Sequence, residues 1–132
     1  MKIFQTTLEE KDLILISPLS LAFIGDAVHT LLVRQYLMDE NIETPKKLHN
    51  NSASLCCASS QALMLDKIES VLTEEEKEIV RRTRNAKNHN APKSSSLQEY
   101  KKATCFEALF GYVYLKKDFQ RLNQLFENSL KE

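Results

Sequence analysis

Two acidic residues stand where a folding chain has least use for them. Asp26 lies inside the apolar run "LAFIGDAVHTLL" (residues 21–32), and Glu107 lies inside "ATCFEALFGYVYL" (103–115). A carboxylate among apolar neighbours must find a partner or change its protonation state. Each acid is close to one of the chain's two glycines, Gly25 and Gly111. Glycine in a helix interior costs about 1 kcal/mol relative to alanine, but it also lets a second backbone come close. Two helices crossing at their glycines would bring Asp26 and Glu107 to one point. Such a pair could hold a hard divalent cation, since Mg²⁺ accepts one or two carboxylates with water and substrate oxygens completing its shell. It could also serve as an acid–base couple with split pKa values. The residues alone allow a third reading, in which each acid meets a base or a helix end and supports the core.

The elements that must position these acids read as helices throughout. Ser17-Pro18 places a cap and a first-turn proline ahead of a helix running to about Asp39. Thr44-Pro45 repeats the device for a short helix ending near His49, and Ser52 is placed to cap the next run, through Val71. Thr73 and Glu76 form a T-x-x-E capping box, and Ser96 and Glu99 another, which opens the helix that carries Glu107. Between them, Asn85 to Ser96 reads as a polar loop. Asp118 caps a last helix with Phe119, Leu122, Leu125, Phe126 and Leu130 as its apolar stripe. Ahead of the first long helix, Leu8 to Leu15 reads as a short helical or extended lead-in. No strand-like alternation and no internal repeat appear. The expectation is an all-α bundle of six or seven helices, folded as one domain over residues 1–132.

Lys and Arg together number 18 and so do Asp and Glu, giving zero formal net charge. The charge is nevertheless segregated. Asp66 to Glu78 is acidic, whereas Arg81 to Lys102 is strongly basic and runs directly into the helix that carries Glu107. A basic patch beside a metal-binding carboxylate suits a phosphate-backbone substrate, the bases positioning the polymer. Arg82, Arg84, Asn85, Lys87 and Lys93 are the candidate backbone contacts. The plainer reading is a solvated helix face beside a polar loop. Cys56, Cys57 and Cys105 with His29, His49 and His89 lack zinc-ligand spacing, and read as reduced, buried thiols and ordinary histidines. The N-terminus does not read as a signal peptide and no run approaches a membrane span, so a soluble cytoplasmic protein is expected.

Four ordered segments between Pro18 and Leu115 resemble ribonuclease III catalytic domains, most closely the bacterial Mini-III ribonucleases. "FIGDAV" (23–28) resembles the family's F-L-G-D-A-V helix, and "ATCFEALFGYVYL" its second acidic helix, T-x-F-E-A-L-x-G-Y-L-Y-L. "RRTRNAK" (81–87) is similar to the Mini-III R-x-R-N-A-K segment, and "KLHNNSASLCCASSQA" more loosely to its K-L-H…V-S-A-K-A-Q-A region. The resemblance implies a homodimeric ribonuclease III catalytic-domain bundle without an appended double-stranded-RNA-binding domain. It implies an endonuclease that hydrolyses double-stranded RNA with Mg²⁺, Mn²⁺ being a substitute, and leaves 5′-phosphate and 3′-hydroxyl ends. For Mini-III the implied substrate is the 23S ribosomal RNA precursor, with ribosomal-protein assistance in prospect.

By position, Asp26 and Glu107 match the family's two essential acids, expected to be both catalytic and metal-binding. Full-length ribonuclease III usually adds carboxylates where this chain has Ala22 and Thr104, and Mini-III shares the thinner set. Ser59 replaces a lysine of the Mini-III pattern. The alternative reading from another class is a non-catalytic protein that binds structured RNA on the same fold. A helical interaction module with both acids as core ion-pair partners is a third.

Overall fold

The computed structural model of the chain describes residues 8–40, 44–87 and 96–132. Seven helices occupy them: α1 (Glu10–Leu13), α2 (Pro18–Glu40), α3 (Pro45–Cys56), α4 (Ala58–Ile68), α5 (Glu74–Arg84), α6 (Leu97–Leu115) and α7 (Phe119–Ser129). The lead-in thus forms one helical turn, and no strand occurs among the described residues.

Capping chemistry fixes most of the starts. The Ser20 N–H donates to Ser17 Oγ at 3.2 Å at the head of α2. Thr44 accepts from Lys47 at 3.3 Å, and Asp118 from Arg121 at 3.1 Å. Thr73 and Glu76 close a reciprocal capping box, at 3.1 and 2.9 Å. Ser96 instead satisfies Glu99 twice, accepting from its N–H at 3.1 Å and donating to its carboxylate at 3.3 Å.

The stretch after Thr44 differs from the sequence expectation. The helix does not stop near His49 but continues to Cys56, and Ser52 is a buried mid-helix residue rather than a cap. Asn50, Asn51, Ser52 and Ser54 are weak helix formers, and packing of α3 on α2 overrides them. The break falls at Cys57, whose extended backbone separates α3 from α4. A 3₁₀ turn, Glu69–Val71, then follows α4. The cysteines are also not uniformly buried: Cys105 is, Cys56 is half-buried and Cys57 is exposed. Cys105 is 3.5 Å from the Val80 carbonyl, to which its thiol donates, and burial pushes that thiol up to about 11.

Helix α6 is the axis of the fold. From Ala103 to Val113 every residue except Glu107 is buried, as expected of a helix apolar around its circumference. Helix α2 lies against it along its length, α4 and α5 cover other sides, and α7 closes the end between α4 and α6. Phe106, Leu109, Phe110 and Tyr112 fill the centre with Leu21, Val33, Leu65 and Leu125.

Candidate active site

The site is built at the α2–α6 crossing. A Cβ added to Gly25 would overlap the Glu107 carbonyl oxygen, and one added to Gly111 would overlap the Leu21 carbonyl. The two glycines therefore face opposite backbones, and the helices are in main-chain contact. This is the close approach that their positions in the sequence suggested. It brings Asp26 and Glu107 to the same cavity of about 270 Å³, which Ala22, Phe23, Tyr100 and Thr104 also line.

The two acids are not equivalent. Glu107 is half-buried, and burial is the main cause that pushes its carboxyl up to about 8. A hydrogen bond and the negative charge of Asp26 add to the rise, and a hydrogen bond from Gln61 opposes it. Asp26 is exposed, contrary to its apolar surroundings in the sequence. The reason is that α2 has two apolar faces. Leu21, Gly25, Val28 and His29 are buried, but Phe23, Ala27 and Leu31 point outward beside Asp26. Periodicity cannot distinguish one buried face from two when both are apolar.

Ala22 and Thr104 lie on the same cavity as the acids. Thr104 turns its hydroxyl back to the Tyr100 carbonyl at 2.8 Å. Among the described residues no group of three or more His, Cys, Asp and Glu side chains is placed to hold a metal ion. The donor set at this point is two carboxylates, which is within what Mg²⁺ accepts when water and substrate supply the rest.

The candidate RNA contacts sit elsewhere. None of Arg82, Arg84, Asn85 and Lys87 lines the cavity. Arg84 pairs with Glu69 at 3.6 Å, Asn85 is the C-cap of α5, and Arg82 is half-buried near its end. Lys93 lies outside the described residues, as do Asn88, Asn90, Ser94 and Ser95. Part of the charge segregation follows from helix polarity. Glu74, Glu75 and Glu76 open α5 and Arg81, Arg82 and Arg84 close it, which is the arrangement the helix dipole favours. Lys102 and Asp66 likewise pair across α6 and α4 at 2.9 Å.

Comparison with known proteins decides the assignment. The Ribonuclease III domain model matches residues 19–118. The chain belongs to the ribonuclease III family. It is similar to the Mini-ribonuclease 3 of Thermoanaerobacter sp. (strain X514), 41% identical over 124 residues that cover 94% of this chain and 87% of that one. It is also similar to the Mini-ribonuclease 3 of Symbiobacterium thermophilum, 41% identical over 110 residues covering 83% and 85%. A crystal structure of a Fusobacterium nucleatum protein shares the fold, with a TM-score of 0.78, 34% identity, and coverage of 88% of this chain and 94% of that one. This ribonuclease III chain is thus a Mini-ribonuclease 3-type endoribonuclease. Among its described residues, no helix is long and apolar enough to cross a membrane.

Two further buried polar residues, His29 and Gln61, were not singled out as functional in the sequence. Gln61, on α4, is 3% exposed and its amide nitrogen lies 3.1 Å from His29 Nδ1. The same side chain acts on the Glu107 carboxyl, lowering it against the effect of burial. In the sequence Gln61 is one polar residue in a run of small ones, and only the fold shows that it meets His29.

Proposed function

We propose that this endoribonuclease cleaves double-stranded RNA at the paired carboxylates of Asp26 and Glu107, and that these two residues hold Mg²⁺, with Mn²⁺ as a substitute. The observation that carries the reading is their convergence across the Gly25–Gly111 crossing on one open cavity. The elevated Glu107 carboxyl fits it, because a cation between two crowded carboxylates relieves their repulsion. When bound, the ion supplies charge for an attacking water and for the phosphate oxygens. Asp26, being exposed, offers its carboxylate from the rim, whereas Glu107 is held from behind by the α4 and α6 packing. Ala22 and Thr104 leave room for water where larger relatives carry carboxylates.

Duplex RNA is read mainly through phosphates and 2′-hydroxyls, so specificity is proposed to come from shape. Arg82, Arg84, Asn85, Lys87 and Lys93 are proposed to steer the phosphate backbone. The exposed Arg84–Glu69 pair is weak enough to give way. The resemblance to Mini-III supports the 23S ribosomal RNA precursor as substrate, a homodimer as the working form, a cytoplasmic location, and a ribosomal protein as a helper. The single domain over 1–132 belongs to the same proposal.

The test is cleavage of a labelled RNA duplex with Mg²⁺, comparing the wild type with Asp26→Asn and Glu107→Gln at matched folding. Cleavage by the wild type alone, with duplex binding retained in both variants, supports the reading. Binding without cleavage by all three would overturn it in favour of a non-catalytic RNA-binding protein.

A further inference from the structure

We propose that the groove between the C-terminal ends of α2 and α7 binds a basic amphipathic helix supplied by a partner protein. The groove has a volume of about 440 Å³, against about 270 Å³ for the cavity that holds Asp26 and Glu107, and the two share no lining residue. The proposal therefore stands whatever role those two acids have.

The floor is apolar. Leu32 and Tyr36 of α2 lie beside Phe126 of α7 and Leu130, which follows it. Leu32, Tyr36 and Leu130 are only half-buried, so part of this apolar surface stays open. The Tyr36 and Phe126 rings stand edge-on at 6.1 Å, which holds the floor in one shape. The α2 wall extends from Leu32 to Glu40. At 1.5 Å per residue it runs about 12 Å, a little over two helical turns. That is the span over which a docked helix lays down anchors at i, i+3 or i+4, and i+7.

The rim is acidic. Asp39, Glu40 and Glu127 are exposed there, with Lys131 as the one base among the lining residues. Asp39 accepts from the Gln35 amide at 2.9 Å and Glu127 from that of Asn123 at 3.2 Å. None of the three acids forms an ion pair among the described residues. Elsewhere acids are matched by bases, as Asp66 is by Lys102, Glu75 by Lys116 and Glu78 by Arg81. The helix ends deepen the imbalance. Both α2 and α7 turn their last residues to the groove, and neither has a basic residue in its last turn. A helix C-terminus carries partial negative charge that a cation satisfies. A polyanion is repelled at such a place, so duplex RNA does not suit it. Lysine or arginine flanking apolar side chains matches both rim and floor. Docking here leaves the Asp26–Glu107 cavity open, so RNA and the partner can be held together.

The experiment uses the full chain and three synthetic peptides. One is an amphipathic helix of leucine and arginine, one the same residues scrambled so that no apolar face forms, and one a leucine–glutamate helix of the first pattern. Fluorescence anisotropy gives affinity, and amide NMR of the chain gives position. The leucine–arginine helix is expected to bind and to shift the amides of residues 32–40 and 123–131. The scrambled and acidic peptides should bind at least about tenfold more weakly. Asp39→Lys combined with Glu127→Lys, both at exposed positions, should weaken the basic helix by about tenfold or more and leave duplex cleavage at the wild-type rate. No binding, equal binding of either control peptide, shifts confined to other residues, or unchanged affinity in the double variant would overturn the proposal. Shifts of the same amides on adding duplex RNA would overturn it as well. So would concentration-dependent shifts there without peptide, which would make a second copy of this chain the occupant. Should the double variant fail to fold, the contrast among the three peptides on the wild type decides.

Discussion

Gly25 lies against the backbone carbonyl of Glu107, so the residue before one acid and the residue carrying the other are in main-chain contact. That relationship makes a glycine part of the geometry of the proposed active site although it contributes no functional group. A methyl group at Gly25 has no space unless α2 and α6 separate, and backbone atoms cannot yield as a flexible side chain can. Gly25→Ala is expected to cost about 3 kcal/mol or more, the upper end of what overpacking does. Thermal unfolding checks this. Any folded fraction should cleave poorly, because the carboxylates move apart with the helices.

The burial of His29 and Glu107 gives stability two opposing pH dependences. Burial lowers His29 to about 4 from 6.5, so its neutral form is favoured by folding. Its contribution is present above about 6.5 and is lost as pH falls toward 4. Glu107 is raised to about 8 from 4.5, so its contribution is fully present below 4.5 and is lost as pH rises through 8. Unfolding midpoints across pH should show His29→Phe gaining on the wild type as pH falls, and Glu107→Gln gaining as pH rises. Parallel curves for either variant would contradict the burial argument for that residue.

The same elevation bears on metal. With its carboxyl raised to about 8, Glu107 is largely protonated at neutral pH, and a divalent cation held there as proposed would have to displace that proton, so binding would release protons. At limiting Mg²⁺ the cleavage rate is expected to rise with pH until it passes about 8, the value to which Glu107 is pushed. Saturating Mg²⁺ should move that midpoint to lower pH. A pH-rate profile at two Mg²⁺ concentrations measures both. A midpoint that ignores Mg²⁺ would separate the titrating group from the metal-holding pair.

Much of the helix pattern was legible because caps are local. Ser17, Thr44, Thr73, Ser96 and Asp118 all cap as their spacing suggested. The α3–α4 boundary was not legible, since it depends on packing against α2 rather than on the residues at 50–57. At the site, Gly25 and Gly111 disclosed the crossing because a helix-interior glycine carries a cost that needs a reason. The exposure of Asp26 was hidden by the second apolar face of α2. Gln61 and His29 were hidden because their meeting joins residues 32 positions apart, a relation no local pattern encodes. The sequence did not show that part of the basic segment also serves helix polarity and ion pairs with Glu69, Glu78 and Asp66, since those partners are set by the fold.

A separate device holds the far end of the bundle. Arg121 on α7 grips the buried Glu76 carboxylate twice, at 2.9 and 2.7 Å, and also donates to the Val71 carbonyl at 2.8 Å. Glu76 is committed at the same time to the capping box of α5. Burial alone would raise its carboxyl, but the Arg121 and Thr73 contacts hold it below the usual carboxylate range. Removing one partner of a buried pair leaves the other charge unmet, at about 3–5 kcal/mol. Arg121 is itself partly exposed, so Arg121→Ala is expected at the low end, about 3 kcal/mol. Chemical denaturation gives the number, and kcat of the folded variant should match the wild type because the pair lies away from the α2–α6 cavity.

The outward stripe of α2 bears on assembly. Phe23 is 84% exposed, Leu31 66% and Met38 62%. They are spaced along one helix, and Phe23 also lines the cavity that holds Asp26 and Glu107. In a homodimer joined along this stripe, burial of Phe23 would bring the partner to the rim of each active site and shield Asp26 from solvent. Each chain of 15.2 kDa would then lose both cleavage and assembly on introduction of a charge at the seam. Leu31→Glu is the sharper variant, since Leu31 sits about a turn and a half of helix from Asp26 and does not line the cavity. Light scattering should report the dimer mass for the wild type and the single-chain mass for Leu31→Glu, with the helical circular dichroism unchanged. Cleavage of duplex RNA should fall with the dimer fraction. A wild type that remains a single chain at cleavage-competent concentrations would show that one chain suffices, and that the exposed Phe23 serves RNA or solvent rather than a second copy.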